Sequence, residues 1–339
     1  IEGWTVGADG RWTVTLNDVK DGRWTFSQLF VGDQRRMRPR LPKQGYLKTG
    51  EVIPAAEDKR GFDRLRYQGD EVRGDWANQG DVELIGFHQW GVSRMRIESV
   101  DIPERIIQFT GTTFTKSGWN QFPKDDRFFV ENVKEELREP GEWYLDRPTG
   151  VLTYIPKPGE SPESAVVVAP ALDRIVDFQG NLDAAAWVSH VQFDGISFAH
   201  SQWLLAAEGQ SMPQAEVGLD AAISAVGARN VGFRNCAVRH TGAYGIAFGH
   251  GCRDNAVEGC ELIDLGAGGI KIGHVGPGDW GSVSRVPSDP EKICSHITVR
   301  NCLVAHGGRL HPAGIGVWIG MSGHNRVQHN TVYDLYYSS

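Results

Sequence analysis

The sequence predicts an all-β fold: a right-handed parallel β-helix of about 24-residue coils, preceded or interrupted by a β-rich, sandwich- or barrel-like N-terminal module. Three observations predict it. The first is apolar alternation of period two in the second half of the chain, as in Val231 and Phe233 and then Cys236 and Val238. The second is a five-residue step that recurs at Gly195–His200, Asn235–His240, Gly259–Asp264, Asn301–His306 and His329–Asp334. The third is the spacing of those steps, which fits a base repeat of about 24 residues with insertions, the signature of a stacked array. Helical repeats are excluded by the period-two alternation.

Within the best-defined coil, the strands are expected at "VGF", "CAV" and "IAF", with bends at Asn235, at "HTGAYG" and at "GHGCRDN". Asn at a bend tolerates a left-handed backbone and can bond along a stack, so Asn235 and Asn301 are expected to form a ladder. Cys236, Cys260 and Cys302 fall in one column and Cys252 over Cys294 in another. Five cysteines are too few for a disulfide scaffold at 339 residues, and buried thiols acting as small hydrophobes are the expected state.

Residues 1–165 show no fixed period. Short runs such as "RWTVTL", "VELIGFHQW", "IIQFTG" and "GVLTYI" read as strands bounded by Gly, Pro and Asp. One stretch, "VENVKEELREPGEW", reads as a helix ended by Pro140 and Gly141. The expected division is a module over 1–165, carrying no catalytic acid, and stacked coils over 166–339. The chain begins at Ile1 and stops in mid-repeat at "LYYSS", so a fragment missing both ends is expected.

Composition removes several function classes. The net charge of −7 is mild and unclustered, so nothing steers the chain to nucleic acid or an anionic membrane. No run approaches the roughly 18 apolar residues of a membrane span. Metal-binding spacings such as C-x-x-C and H-E-x-x-H do not occur, and neither a metal nor a cofactor is expected. Eleven Trp and eight Tyr could offer faces to sugars, although most are expected in the core.

The chemistry is expected on the column formed by His200, His240, Asp264, His306 and Asp334, at the turn from the second strand of each trio to the third. Stacked strands lie about 4.8 Å apart, so Asp264 and Asp334 are expected about 9–10 Å apart. That separation suits two carboxylates acting on a glycosidic bond with inversion. Asp264 and Asp334 are the candidate catalytic acids, with His240 and His306 as flanking proton carriers. Asp264, between two histidines, is expected to be the base and Asp334 the acid. Polar ladders at such bends also arise simply because they satisfy backbone groups. On the adjacent strand, Tyr244, Lys271, Trp318 and Asp220 are candidate substrate-binding residues. Glu208 and Glu216 lie in a long insertion and are expected to be solvated. That insertion, "SQWLLAAEGQSMPQAEVGLD", and a second, "VGPGDWGSVSRVPSDPEK", are expected to wall a groove.

Several stretches resemble a known group. "GRWTFSQLFVGDQRRMRPRLPKQGY" and "FFVENVKEELREPGEWYLDRPTGVLTYIPKPGE", with "GISFAHSQW" and "HNTVYDLYYSS", resemble large secreted bacterial β-helix proteins. Members include glycoside hydrolases with α-L-fucosidase or xylanase activity on plant cell-wall polysaccharide. The resemblance implies a β-rich module interrupting a β-helix, a secreted or periplasmic setting and a pair of catalytic acids. A polysaccharide or oligosaccharide would be the partner, and a monomer is expected.

Two other readings stay open. One is a Ca²⁺-dependent polysaccharide lyase with Lys271 or Arg239 as base, although no acid cluster of the kind a hard cation needs is visible. The other is a non-catalytic carbohydrate adhesin. Fold does not decide among them.

Overall fold

The computed structural model describes residues 1–274 and 287–339, so most of the second insertion expected to wall a groove lies outside the described residues. The chain divides into two compact units. One comprises residues 1–171 with 204–212, and the other 172–203 with 213–339.

The first unit is antiparallel. A four-stranded sheet joins Thr5–Val6, Trp12–Thr15, Val151–Tyr154 and Trp143–Asp146, and a three-stranded sheet joins Val167–Val168, Leu29–Val31 and Gln34–Arg36. An eight-stranded sheet is built around Glu83–Phe87, Val92–Asp101 and Arg127–Glu131. Its last member, Gln210–Ser211, pairs with Val92–Asp101, which ties residues 204–212 to this unit.

Aromatic residues fill much of the interior. Trp12, Trp76 and Trp143 are buried, and Phe26 stacks on Trp143 with ring centroids 5.4 Å apart. Glu83 is buried between Arg38 and Arg94, whose guanidinium nitrogens donate to its carboxylate at 2.7–2.9 Å. Both arginines also donate to Glu131. The helix expected in "VENVKEELREPGEW" does not form. Asn132 takes a left-handed φ of 64° that ends the strand before it, and only a single 3-10 turn, Lys134–Glu136, follows.

The second unit carries three five-stranded parallel sheets. Sheet one contains Val176–Gln179, Ala221–Val226, Tyr244–Phe248, Ile270–Gly273 and Val317–Gly320. Sheet two contains Gln192–Asp194, Gly232–Arg234, Ala256–Glu258, Thr298–Arg300 and Arg326–Gln328. Sheet three contains Ser197–Ala199, Ala237–Thr241, Glu261–Leu265, Leu303–Ala305 and Thr331–Tyr333. Alternate side chains face a common apolar cluster, including Ile223, Ile246 and Ile270 from sheet one, Phe233, Val257 and Val299 from sheet two, and Val238, Leu262 and Val304 from sheet three. Each such aliphatic side chain contributes about 1.5–3 kcal/mol on burial.

The expected fold class is corrected by this topology. The chain is a mixed-β structure of separate antiparallel and parallel sheets, and not a right-handed parallel β-helix of regular coils. Partner strands in sheet two are separated by 40, 24, 42 and 28 residues, read from the pairs Phe193–Phe233, Phe233–Val257, Val257–Val299 and Val299–Val327. Alternation and recurring bend residues are local signals. They specify in-register parallel pairs and left-handed bends, and they do not specify a uniform winding for the chain.

The bends explain the recurring polar residues. His200, His240, Asp264, His306 and Asp334 all have φ between 53° and 66°. A second column, Gly195, Asn235, Gly259, Asn301 and His329, and a third, His190, Asn230, Asp254, His296 and His324, are also left-handed. Asn, Asp, His and Gly are the residues that tolerate this conformation best. Asn235 and Asn301 do not stack directly, because Gly259 lies between them in the column.

All five cysteines are buried free thiols. The Sγ atoms of Cys236, Cys260 and Cys302 each donate to a backbone carbonyl one strand back, at Phe193, Phe233 and Val257, over 3.4–3.6 Å.

Candidate functional site

The site is built on the turn that follows sheet three. In-register pairing of Arg239 with Ile263, Ile263 with Ala305 and Ala305 with Tyr333 places the next residues, His240, Asp264, His306 and Asp334, in one column. Each left-handed bend turns its side chain out of the strand alternation and along the stack, where it meets its neighbour. The glycines beside the column have a steric cause. A Cβ on Gly266 would lie 2.2 Å from the Gly242 carbonyl oxygen, so the backbones approach too closely for any side chain.

The four residues form two histidine–carboxylate pairs. His240 Nδ1 lies 2.6 Å from Asp264 Oδ2, and His306 Nδ1 lies 2.5 Å from Asp334 Oδ2. His240 is buried and its ring stacks on that of His200, with centroids 5.0 Å apart. His306 is open to solvent and meets Tyr333 edge-on at 5.3 Å. Arg309 also donates to Asp334 Oδ2. Hydrogen bonding from His306, reinforced by Arg309 and opposed by slight burial, holds the Asp334 carboxyl below the usual carboxylate range. Such a group is ionised at neutral pH. Asp264 and Asp334 stand two strands apart in sheet three, about 9–10 Å by the usual strand spacing.

The candidate substrate-binding residues divide. On sheet one, Ser224, Ala247, Lys271 and Trp318 are register partners on the outward face. Trp318 is partly exposed and its ring lies against Gly320, where a Cβ would meet the ring at 2.0 Å. Asp220 is exposed and paired with Arg174 at 2.9 Å. Lys271 is engaged elsewhere: its ammonium donates to the Val217 and Leu219 carbonyl oxygens, both at 2.6 Å. Burial lowers its pKa to about 8, opposed by Asp220.

Tyr244 is fully buried and stands first in the Tyr244–Phe248 strand. It packs with Leu219, Ala221, Ala243 and Ala267 and not in the cluster of Ile246 and Phe248, and its hydroxyl donates to the Ala215 carbonyl at 2.6 Å. Glu216 was expected to be solvated, but only 2% of its surface is exposed. Nothing periodic in that insertion announces its burial.

The first unit has its own cavity of about 250 Å³, with Arg38, Asp81, Glu83, Arg96 and Arg147 in its wall. Its charges serve one another: Arg147 grips Asp81 through Nε and Nη2, and Glu83 is held between Arg38 and Arg94. It offers a network of paired charges rather than a poised acid.

No protein-family description and no curated protein matches the chain. Among solved structures, one described as a glycoside hydrolase superposes with a TM-score of 0.82 at 21% identity, covering 99% of this chain and 63% of that one. A xylose complex of XylC gives a TM-score of 0.44 at 10% identity, over 99% of this chain and 47% of that one. The first likeness shows a shared fold, and this chain spans less than two thirds of that neighbour's length.

Proposed function

We propose that the protein hydrolyses O-glycosidic bonds in plant cell-wall-type polysaccharide, with Asp264 and Asp334 as the working carboxylates and His240 and His306 as their proton partners. The observation that carries the reading is the pair of histidine–carboxylate contacts in one column, two strand steps apart. The fold shared with a glycoside hydrolase supports it, as does the resemblance of the sequence to secreted β-rich glycosidases. A secreted or periplasmic setting goes with the same reading.

The left-handed backbone already accounts for Asp and His as residue types at these bends. It does not require that they pair along the column, and the proposal rests on that pairing. In the proposed reaction Asp334, kept ionised by His306 and Arg309, takes a proton from water as the water oxygen attacks the anomeric carbon. The bond from that carbon to the leaving oxygen breaks, and the His240–Asp264 pair delivers a proton to the leaving oxygen. A carboxylate separation near the upper end of the 6.5–9.5 Å range goes with inversion. Trp318, partly exposed on the adjoining sheet, supplies a face on which a sugar ring can stack.

The test is digestion of a panel of plant polysaccharides by the full-length protein, with product mass and ultraviolet absorbance recorded. New reducing ends without absorbance support the proposal. Unsaturated, absorbing products would establish a lyase, and binding without products an adhesin.

A further inference from the structure

We infer that residues 213–219 form a strap across the outward face of sheet one, clipped down by Tyr244 and Lys271, and that its release uncovers Lys271 and Trp318 as a surface for a neutral oligosaccharide. The sugar part rests on the proposed glycosidase reading; the strap itself does not.

The path of the strap follows from its bonds. It enters the Ala221–Val226 strand at its C-terminal end, and two of its carbonyls, Val217 and Leu219, receive Lys271 from the Ile270–Gly273 strand. Further back, the Ala215 carbonyl receives the Tyr244 hydroxyl, which in turn accepts from the Ile315 amide at 3.2 Å, just before the Val317–Gly320 strand. The Gln214 side-chain amide donates to the Tyr337 hydroxyl at 2.7 Å. The segment therefore spans four of the five strands. The outward residues Ser224 and Ala247 are small and leave room above the sheet, whereas Lys271 and Trp318 are long and stand in the same column.

The closed strap carries costs that opening relieves. Ala215 and Glu216 are consecutive left-handed residues, φ 64° and 49°, and neither is glycine. Such conformations persist only where the surroundings over-determine them, and they collect at clamps and switches. Closure also withdraws an ammonium and a carboxylate, Lys271 and Glu216, from water. Opposing these costs are the Tyr244 bond and two charge-assisted bonds from Lys271. Local strain and desolvation balanced by these side-chain bonds make a two-state element. With the strap down, the Lys271 ammonium sits 5.9 Å from the Trp318 ring centre, within reach of its π face. With the strap up, that ring is free to meet the apolar face of a sugar, and the ammonium is free to meet a hydroxyl.

Hydrogen exchange on the full-length protein tests this with Tyr244→Phe, which keeps the ring, and Lys271→Met, which keeps the stem. Each variant should speed amide exchange in 213–219 by about tenfold or more, the size expected for losing one or two such bonds. Amides of 246–248 should be unchanged. Unaltered strap exchange in both variants would overturn the strap. The second arm adds soluble arabinoxylan and xyloglucan oligosaccharides to the wild type. Faster strap exchange on binding, with tighter binding by Tyr244→Phe, supports the gating role. Binding that leaves strap exchange and affinity untouched overturns the gate but spares the glycosidase reading. Binding and cleavage of none of these sugars removes the sugar assignment, and the exchange arm alone then decides the strap.

Discussion

His306 and Asp334 lie 2.5 Å apart, Nδ1 to Oδ2, and Arg309 reaches the same carboxylate oxygen. This is a carboxylate that meets an imidazole and a guanidinium on an open surface. Its proton affinity is depressed chiefly through the His306 hydrogen bond, and not through burial.

The consequence is testable by titration. A depressed carboxyl contributes stability that is present above its unfolded value, near 3.9, and is lost as pH falls through the folded value. Asp334 is 48% exposed, so the contribution is small. Carbon-13 titration of the Asp334 carboxyl should give a midpoint below 3.9, and His306→Ala should move it up. A midpoint unmoved by that substitution would remove His306 as the cause.

Lys271 gives the opposite end of the pH scale. Its folded pKa, lowered to about 8 by burial, lies under the unfolded value near 10.4. Between these values the unfolded chain binds more protons than the native one, so stability rises with pH from about 8 to 10.4 and is flat below 8. Urea midpoints measured at intervals from pH 7 to 10.5 should show that rise in the wild type and lose it in Lys271→Met. Parallel curves for the two proteins would contradict the burial of the ammonium.

The charge network around Glu83 should behave as a buried unit. Glu83→Gln leaves Arg38 and Arg94 short of a counter-charge in the interior and should cost about 3–5 kcal/mol. Replacement of Asp75, an exposed residue paired at the surface with Arg73, should shift the unfolding midpoint far less. Denaturant unfolding of the two variants makes the comparison, and equal small losses would show that the network contributes little.

The thiols offer a simple check on packing. Burial pushes the Cys252 thiol up to about 12 and the Cys294 thiol up to about 11, and a thiolate is the reactive form. A disulfide reagent at pH 8 should modify Cys252 and Cys294 only after unfolding. Rapid labelling of either in the native protein would contradict their burial.

What could be read in advance was local. The alternation through Val231, Phe233 and Val238 marked strands that do form, and the equal steps ending at His240, Asp264, His306 and Asp334 placed those residues in one column. The same marks suggested a regular coil, which the uneven spacing of partner strands replaces. The place of Tyr244 at the head of its strand was legible, whereas its burial against Leu219 and Ala221 was not. The helix expected after Val130 failed because the left-handed Asn132 breaks the chain there, which propensity alone does not register. Glu216 and the clip from Lys271 left no mark in the sequence. They depend on bonds between an aperiodic insertion and strands many residues away.

The most direct test of the central claim is steady-state turnover of Asp264→Asn and Asp334→Asn in the full-length protein, on whichever panel polysaccharide the wild type cleaves. Each substitution keeps the left-handed bend, because Asn tolerates it as well as Asp does, and removes only the ionisable oxygen. Each should lower kcat by about 10² to 10⁴, the range of acid–base catalysis, with circular dichroism and the unfolding midpoint close to wild type. Wild-type turnover in either folded variant would contradict the account and leave the His240–Asp264 and His306–Asp334 pairs as supports of the bends alone.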